Sequence, residues 1–164
     1  MNESAQTATN EKVEQLYAVL VSIQNDTLLL PNVGVAEVVS REGLRAPAPG
    51  APGWYAGLLH WQGVELPVAR FERLNGATVD APGRRTRVIV INTVSGKLSA
   101  GRFGLLCEGY PHLVTLNRAA VRVAEARTSD NAKLILMRAL VASQETVIPN
   151  LDFIENELAR VLAG

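Results

Sequence analysis

The sequence predicts a mainly β protein with one amphipathic helix at its C-terminal end. Three observations support this fold class: apolar segments are short and separated by turn residues, strands do not alternate with helices, and helical spacing of apolar residues is clear only near the C-terminus. This pattern is typical of small barrels or a sandwich. Apolar strand pairs in each half are compatible with two lobes.

The N-terminal part begins with a polar stretch. For residues 1–14 we expect a flexible tail, because the stretch is rich in Asn, Thr, Ser, Glu and Gln. Residues 16–23 and 27–30 are predicted to form a hairpin around a polar turn. Residues 31–40 fit either a strand or a short helix, because the spacing of their valines does not distinguish the period of a strand from that of a helix.

The middle of the chain contains a connector followed by a strand pair. Residues 46–53, APAPGAPG, are expected to run extended over the surface. Residues 57–61 and 64–68 are predicted to pair, and residues 69–74 to form one helical turn. Residues 87–92, RVIVIN, are continuously apolar in their centre, so this strand is expected to be buried on both faces.

Backbone shape dominates the pair of strands in the segment GLLHWQGVELPV. Gly57 and Gly63 shape the hairpin, and Gly63 is expected to take a positive φ in its turn. Pro67 cannot donate to a sheet ladder, which predicts that it marks an edge or the end of its strand. None of these residues is typical of a catalyst, so the segment indicates a surface that holds another molecule.

The C-terminal part ends in the predicted helix. Asn150 is expected to cap this helix, and its apolar residues lie on one face. Residues 117–130 are ambiguous. Further strands are predicted at residues 101–108, 114–116, 133–142 and 145–148.

Composition and charge exclude several functions. The 164 residues include 16 basic and 16 acidic side chains, so the net charge is zero, and only 5% of residues are aromatic. Both facts argue against binding nucleic acid by phosphate neutralisation or base stacking. The cluster Arg84, Arg85 and Arg87 is interpreted as a solvated loop leading into a strand. No apolar run approaches the ~20 residues that a membrane-spanning helix needs, no signal peptide is recognisable, and we expect a cytoplasmic protein.

Reactive side chains are sparse, so we expect no enzyme, no cofactor and no metal site. Cys107 lies in an apolar strand and is interpreted as a buried, unreactive thiol. His60 is expected to be a partly buried strand residue. Glu155 and Glu157 are assigned to the exposed face of the last helix. The common metal, nucleophile and phosphate-loop motifs are absent from the sequence.

The order of motifs resembles the CheW-like domain of bacterial chemosensory systems. The motifs are VAEVV at residues 35–39, a Pro-rich connector, PGWYAGLLHWQGVELPV at residues 52–68, an apolar strand, and GRFGLLCEGY at residues 101–110. The hairpin pattern, glycine, two apolar residues, a turn glycine and a proline, is the most specific part. One departure stands out, since His60-Trp61-Gln62 replaces the family's Asn-Leu-Arg.

The resemblance implies two small SH3-like, five-stranded β-barrels in residues 15–164, with an apolar groove between them. It also implies a non-enzymatic adaptor that couples the cytoplasmic tip of a chemoreceptor to the regulatory domain of a histidine kinase. The departure at Gln62 suggests a divergent paralogue, such as those of pilus-linked systems that control twitching. By position, receptor contact falls on Val35, Glu37, Val38 and Gln62, and kinase contact on Phe103, Leu105 and Tyr110.

Two other readings remain open at this point. Val35 and Val38 are more typical of core residues than of interface residues. The chain as a whole also fits a β-barrel module that binds a small ligand or nucleic acid, although its neutral charge and few aromatic residues disfavour nucleic acid.

Overall fold

A computed structural model describes residues 15–164, and the expected flexible tail at residues 1–14 lies outside the described residues. The described chain is mainly β, as predicted. No helix in this part is long and apolar enough to cross a bilayer. The strands are β1 (Leu16–Ser22), β2 (Thr27–Pro31), β3 (Val35–Ser40), β4 (Tyr55–Trp61), β5 (Val64–Ala69), β6 (Thr86–Asn92), β7 (Arg102–Glu108), β8 (His112–Leu116), β9 (Val121–Ala124), β10 (Ile135–Val141) and β11 (Gln144–Pro149), and the α-helices are α1 (Phe71–Leu74) and α2 (Leu151–Ala163).

The strands form two sheets, which we call the first and second lobes. The first lobe has five strands in the order β3-β6-β7-β5-β4, and the second has six in the order β8-β1-β2-β11-β10-β9. The second lobe therefore has one strand more than the five expected. It is also discontinuous in sequence, because the chain leaves it after β2, builds the whole first lobe and returns at β8. The ambiguous residues 31–40 form a 3-10 turn, Asn32–Gly34, followed by β3.

The hydrophobic core has three parts. A small cluster fills each lobe, and the largest cluster combines residues of both sheets and α2. Strand β6 contributes to both sides of its sheet, as the sequence predicted, because Val88 lies in the first lobe while Ile89 and Ile91 belong to the shared cluster. The surfaces by which the lobes meet are thus packed with side chains.

The first lobe is closed by an extra backbone contact. After β3 the chain turns, and Arg45 pairs with Leu58 of β4 through two hydrogen bonds of 2.9 and 3.2 Å. Gly57 allows this approach. Its φ is +116°, and a Cβ placed there would overlap the carbonyl oxygen of Arg45 and lie 2.9 Å from the carbonyl carbon. Only glycine fits such a position without displacing the backbone.

The C-terminal helix packs on the shared core and also carries a buried carboxylate. Asn150 caps the helix as predicted, since its side chain accepts a hydrogen bond from the Phe153 amide at 3.2 Å. The assignment of Glu155 to the exposed face is wrong, because Glu155 is 0% exposed. Its carboxylate accepts hydrogen bonds from the Val94 amide and from the amide and hydroxyl of Ser95, so it fixes the turn between β6 and β7.

A buried arginine links the second lobe to α1. Arg138 is 1% exposed, and its guanidinium donates to Asp26, Asp130 and Glu145 at 2.6–3.2 Å. The hydrogen bond from Arg138 is the main reason that the pKa of the Asp130 carboxyl lies far below its usual range. Asp130 also accepts from the side chain of Asn75, at the end of α1, at 3.1 Å. The network therefore joins the two lobes.

Candidate functional site

The β4–β5 hairpin turns through Gln62 and Gly63. Their φ angles are +45° and +80°, so both central residues are left-handed, as in a two-residue type I′ turn. The predicted positive φ of Gly63 is confirmed. A left-handed backbone costs a non-glycine residue roughly 1–2 kcal/mol of stability. The rest of the fold offsets this cost and holds Gln62 at the exposed tip of the hairpin.

The side chain before this tip connects the hairpin to β3. The indole nitrogen of Trp61 donates to the carboxylate of Glu37 at 2.8 Å. The guanidinium of Arg102 lies over the Trp61 ring, 5.3 Å from its centroid, and Arg102 itself donates to Asn92 at 2.9 Å. Trp61 therefore fixes the Glu37 carboxylate beside the hairpin, across the seam between the two outer strands of the first lobe.

The structure brings the four receptor-contact candidates to this seam. Glu37 and Gln62 are exposed. Val35 and Val38 are half-buried and pack against the shared core, so they support β3 from below and offer only part of their surface to a partner. Glu37 and Gln62 are the members of the set whose polar groups a partner can reach.

An ionic cluster lies on the neighbouring face of the hairpin. Glu65 pairs with Arg45 and with His60, whose Nδ1 lies 3.0 Å from Glu65 Oε1. The hydrogen bond with His60 is the main cause that lowers the pKa of the Glu65 carboxyl, and Arg45 lowers it further. His60 is exposed, which contradicts the expected partial burial. The alternation of β4 explains this, because Leu59 faces the interior of the lobe and His60 faces away.

Two of the three kinase-contact candidates are core residues. Phe103 and Leu105 are each 0% exposed, because they lie on the face of β7 that packs into the shared cluster. Neither side chain can touch a partner while the fold is intact, so the assignment of direct contact to them is corrected. Tyr110 differs: it is 62% exposed and stacks against Arg87, whose guanidinium lies 4.3 Å from the ring centroid.

Pro67 lies inside the sheet and not at its edge. Strand β5 sits between β4 and β7, and Pro67 pairs with Leu58 of β4. Parallel pairing with β7 begins at Val68. The missing amide hydrogen is tolerated because Pro67 precedes the stretch that faces β7.

The one thiol is inert in this fold. Cys107 is buried in β7, and desolvation raises its pKa to about 12. A neutral, buried thiol is a poor nucleophile. Within residues 15–164, no group of three or more metal-ligating side chains is found.

An open groove of about 700 Å³ lies on another side of the first lobe. It runs between the Pro-rich connector and the last turns of α2, and Trp54, Leu58 and Val161 contribute to its lining. The connector predicted from the sequence therefore forms one wall of a surface groove.

The sequence interpretation missed the roles of Trp61 and Arg102. The available signal was the replacement of the usual apolar residue at position 61 by tryptophan, whose ring nitrogen needs an acceptor when it is partly buried. The partner Glu37 lies on a strand 24 residues away, and a single sequence does not reveal this pairing.

The chain belongs to the CheW-like domain family, whose model matches residues 18–155, covering both lobes. Among solved structures it resembles the scaffolding protein TtCheW from Thermoanaerobacter tengcongensis, with 17% sequence identity and a TM-score of 0.68 over 85% of this chain and 91% of that one. This likeness supports the fold. No curated protein matches the sequence.

Proposed function

We propose that this protein is a non-enzymatic adaptor of a chemosensory system, working in the cytoplasm. It would bind the cytoplasmic tip of a chemoreceptor and the regulatory domain of a histidine kinase. The observation that carries the proposal is the family match across both lobes. The similar solved protein is described as a scaffolding protein, which agrees with a binding role.

The receptor would contact the seam formed by β3 and the β4–β5 hairpin. Glu37 offers a carboxylate held by the 2.8 Å hydrogen bond from Trp61, and Gln62 offers an amide at the hairpin tip. Val35 and Val38 supply apolar support beneath them. A helical partner with an apolar stripe and a polar edge fits this combination.

The kinase would contact the first lobe near Tyr110, the exposed member of the original set. Phe103 and Leu105 would act indirectly by fixing β7, since they are buried. Tyrosine is one of the residue types enriched among the hot spots of protein interfaces. A binding role without chemistry also accords with the raised pKa of the Cys107 thiol, about 12.

The output of the system is proposed to be pilus-driven twitching, on the basis of the divergent His60-Trp61-Gln62 sequence. Deletion of the gene is expected to reduce twitching and leave swimming unchanged. Loss of swimming with normal twitching would assign the protein to a flagellar system instead.

Calorimetric titration with a soluble receptor tip tests the receptor site. Glu37→Ala combined with Gln62→Ala is expected to weaken binding about tenfold, equivalent to ~1.4 kcal/mol. Glu42→Ala is the matched control, because Glu42 is also exposed and acidic but follows the far end of β3. Equal affinity of the double variant and the wild type would exclude this seam as the contact.

A second substitution tests the family departure. Gln62→Arg restores the forked donor common in the family and is expected to strengthen receptor binding. An unchanged or weaker affinity would indicate that Gln62 serves a contact of a different kind.

A further inference from the structure

One end of the first lobe gathers arginines that the proposed function has not used. Arg87 is in β6 and pairs across the sheet with Ser40, the last residue of β3. Arg41 follows β3, and its guanidinium donates to the carbonyl of Gly83 at 3.3 Å. Arg84 and Arg85 are exposed in the loop that leads into β6. We call Arg41, Arg84, Arg85, Arg87 and Tyr110 the arginine surface.

The backbone holds these residues together. The Gly109 amide donates to the Arg85 carbonyl at 2.7 Å, which brings the loop before β6 next to the segment after β7. Tyr110 follows directly and stacks on Arg87 with a centroid distance of 4.3 Å. A stacked guanidinium is already ordered, so less conformational freedom is lost when it binds an anion.

The arginines of this surface form no ion pair within residues 15–164, although the exposed Glu42 directly follows Arg41. The ion pairs there engage other arginines, such as Arg45, Arg127 and Arg138, and none of them includes a member of the arginine surface. The nearby carboxylate of Glu108 is half-buried and accepts from the hydroxyl of Thr86 at 3.0 Å. Guanidinium groups that share one surface and form no ion pairs repel one another, and a partner that supplies carboxylates would relieve this repulsion.

We propose that the arginine surface binds an acidic face of the kinase's regulatory domain, with Tyr110 as the aromatic anchor at its centre. This inference rests on the proposed function, because Tyr110 belongs to the proposed kinase contact. Clustered arginines recognise carboxylates through paired hydrogen bonds, and arginine and tyrosine are enriched among the residues that dominate binding energy. A nucleic acid is disfavoured, since the chain has zero net charge and this basic surface is confined to one end of one lobe.

The test is a titration of the purified full-length protein with the regulatory domain of the histidine kinase from the same genome, at 50 and 300 mM salt. Arg84→Gln combined with Arg85→Gln removes two exposed charges from the surface. Arg122→Gln combined with Lys133→Gln is the control, because both are exposed on the second lobe and the change in net charge is identical. Tyr110→Ala tests the anchor separately.

The wild type is expected to bind more weakly at the higher salt concentration. The Arg84/Arg85 variant is expected to lose roughly tenfold in affinity at low salt and most of the salt dependence, while the control variant matches the wild type. Tyr110→Ala is expected to weaken binding at both salt concentrations.

Two results separate failure of this inference from failure of the proposed function. If the wild type binds the kinase domain and the Arg84/Arg85 variant binds equally well, the arginine surface is not the contact and the adaptor function stands. If the wild type does not bind the kinase domain, both fail. Tighter, arginine-dependent binding to single-stranded DNA or to vesicles with anionic headgroups would also overturn the assignment.

Discussion

Gly57→Ala is expected to destabilise the first lobe strongly. The added methyl group would overlap the Arg45 carbonyl oxygen, and the φ of +116° is unfavourable for alanine. This overlap is removed only if the Arg45 segment moves away from Leu58, and the movement breaks the two backbone hydrogen bonds between Arg45 and Leu58. Two hydrogen bonds contribute about 1–3 kcal/mol together, and the positive φ costs roughly 1–2 kcal/mol.

The sum is a loss of about 2–5 kcal/mol in the free energy of unfolding, a large share of the ~5–15 kcal/mol typical of a domain. In a chain of this size that corresponds to a fall in Tm of roughly 10 °C. Urea unfolding followed by tryptophan fluorescence measures it. Gly83→Ala is the matched control, because a Cβ at Gly83 meets no atom within 4 Å. A change below about 0.5 kcal/mol for Gly57→Ala would refute the close-approach argument.

Further predictions concern the buried polar groups. Arg138→Met leaves the Asp26 and Asp130 carboxylates without their buried cation, so we expect a loss of about 3–5 kcal/mol in urea unfolding; near-wild-type stability would contradict this. Because the pKa of Asp130 is lowered in the fold, its stabilising contribution is complete at neutral pH and declines as the pH falls below the range of an unfolded aspartate. In the Asp130→Asn variant the free energy of unfolding should therefore fall less steeply as the pH is lowered. An acid dependence equal to that of the wild type would be inconsistent with the network. Cys107, with a pKa of about 12, should resist a thiol reagent at pH 8 until urea unfolds the protein; rapid labelling of the native protein would show that β7 opens.

Local sequence patterns were sufficient to predict most individual strands and helices. The continuous apolar residues of β6 predict burial on both faces, and the spacing of apolar residues after Asn150 predicts α2. These features depend on neighbours a few residues apart. The joining of β1 and β2 to β8–β11 in one sheet depends on contacts between the two ends of the chain, and periodicity does not encode them.

The site was less predictable because its side chains pair over long sequence distances. The sequence predicts a surface position for Glu155 because the groups that donate to its carboxylate, the amides of Val94 and Ser95, lie about 60 residues earlier in the chain. The family motif indicates that Glu37 is a contact residue. Its hydrogen bond to Trp61 is not predictable in the same way, because it joins two outer strands that meet only in the folded lobe. Burial of Phe103 and Leu105 follows from the shared core between the lobes, which exists only once both lobes are folded.

Reconstitution of kinase activity tests the adaptor account most directly. The histidine kinase, receptor-containing membranes and this protein are combined, and kinase autophosphorylation is measured with and without the protein. The account predicts that receptor control of the kinase appears only when the protein is present and is lost with the Glu37→Ala/Gln62→Ala variant. Full receptor control without the protein, or no effect of adding it to any receptor and kinase of its own genome, would contradict the account.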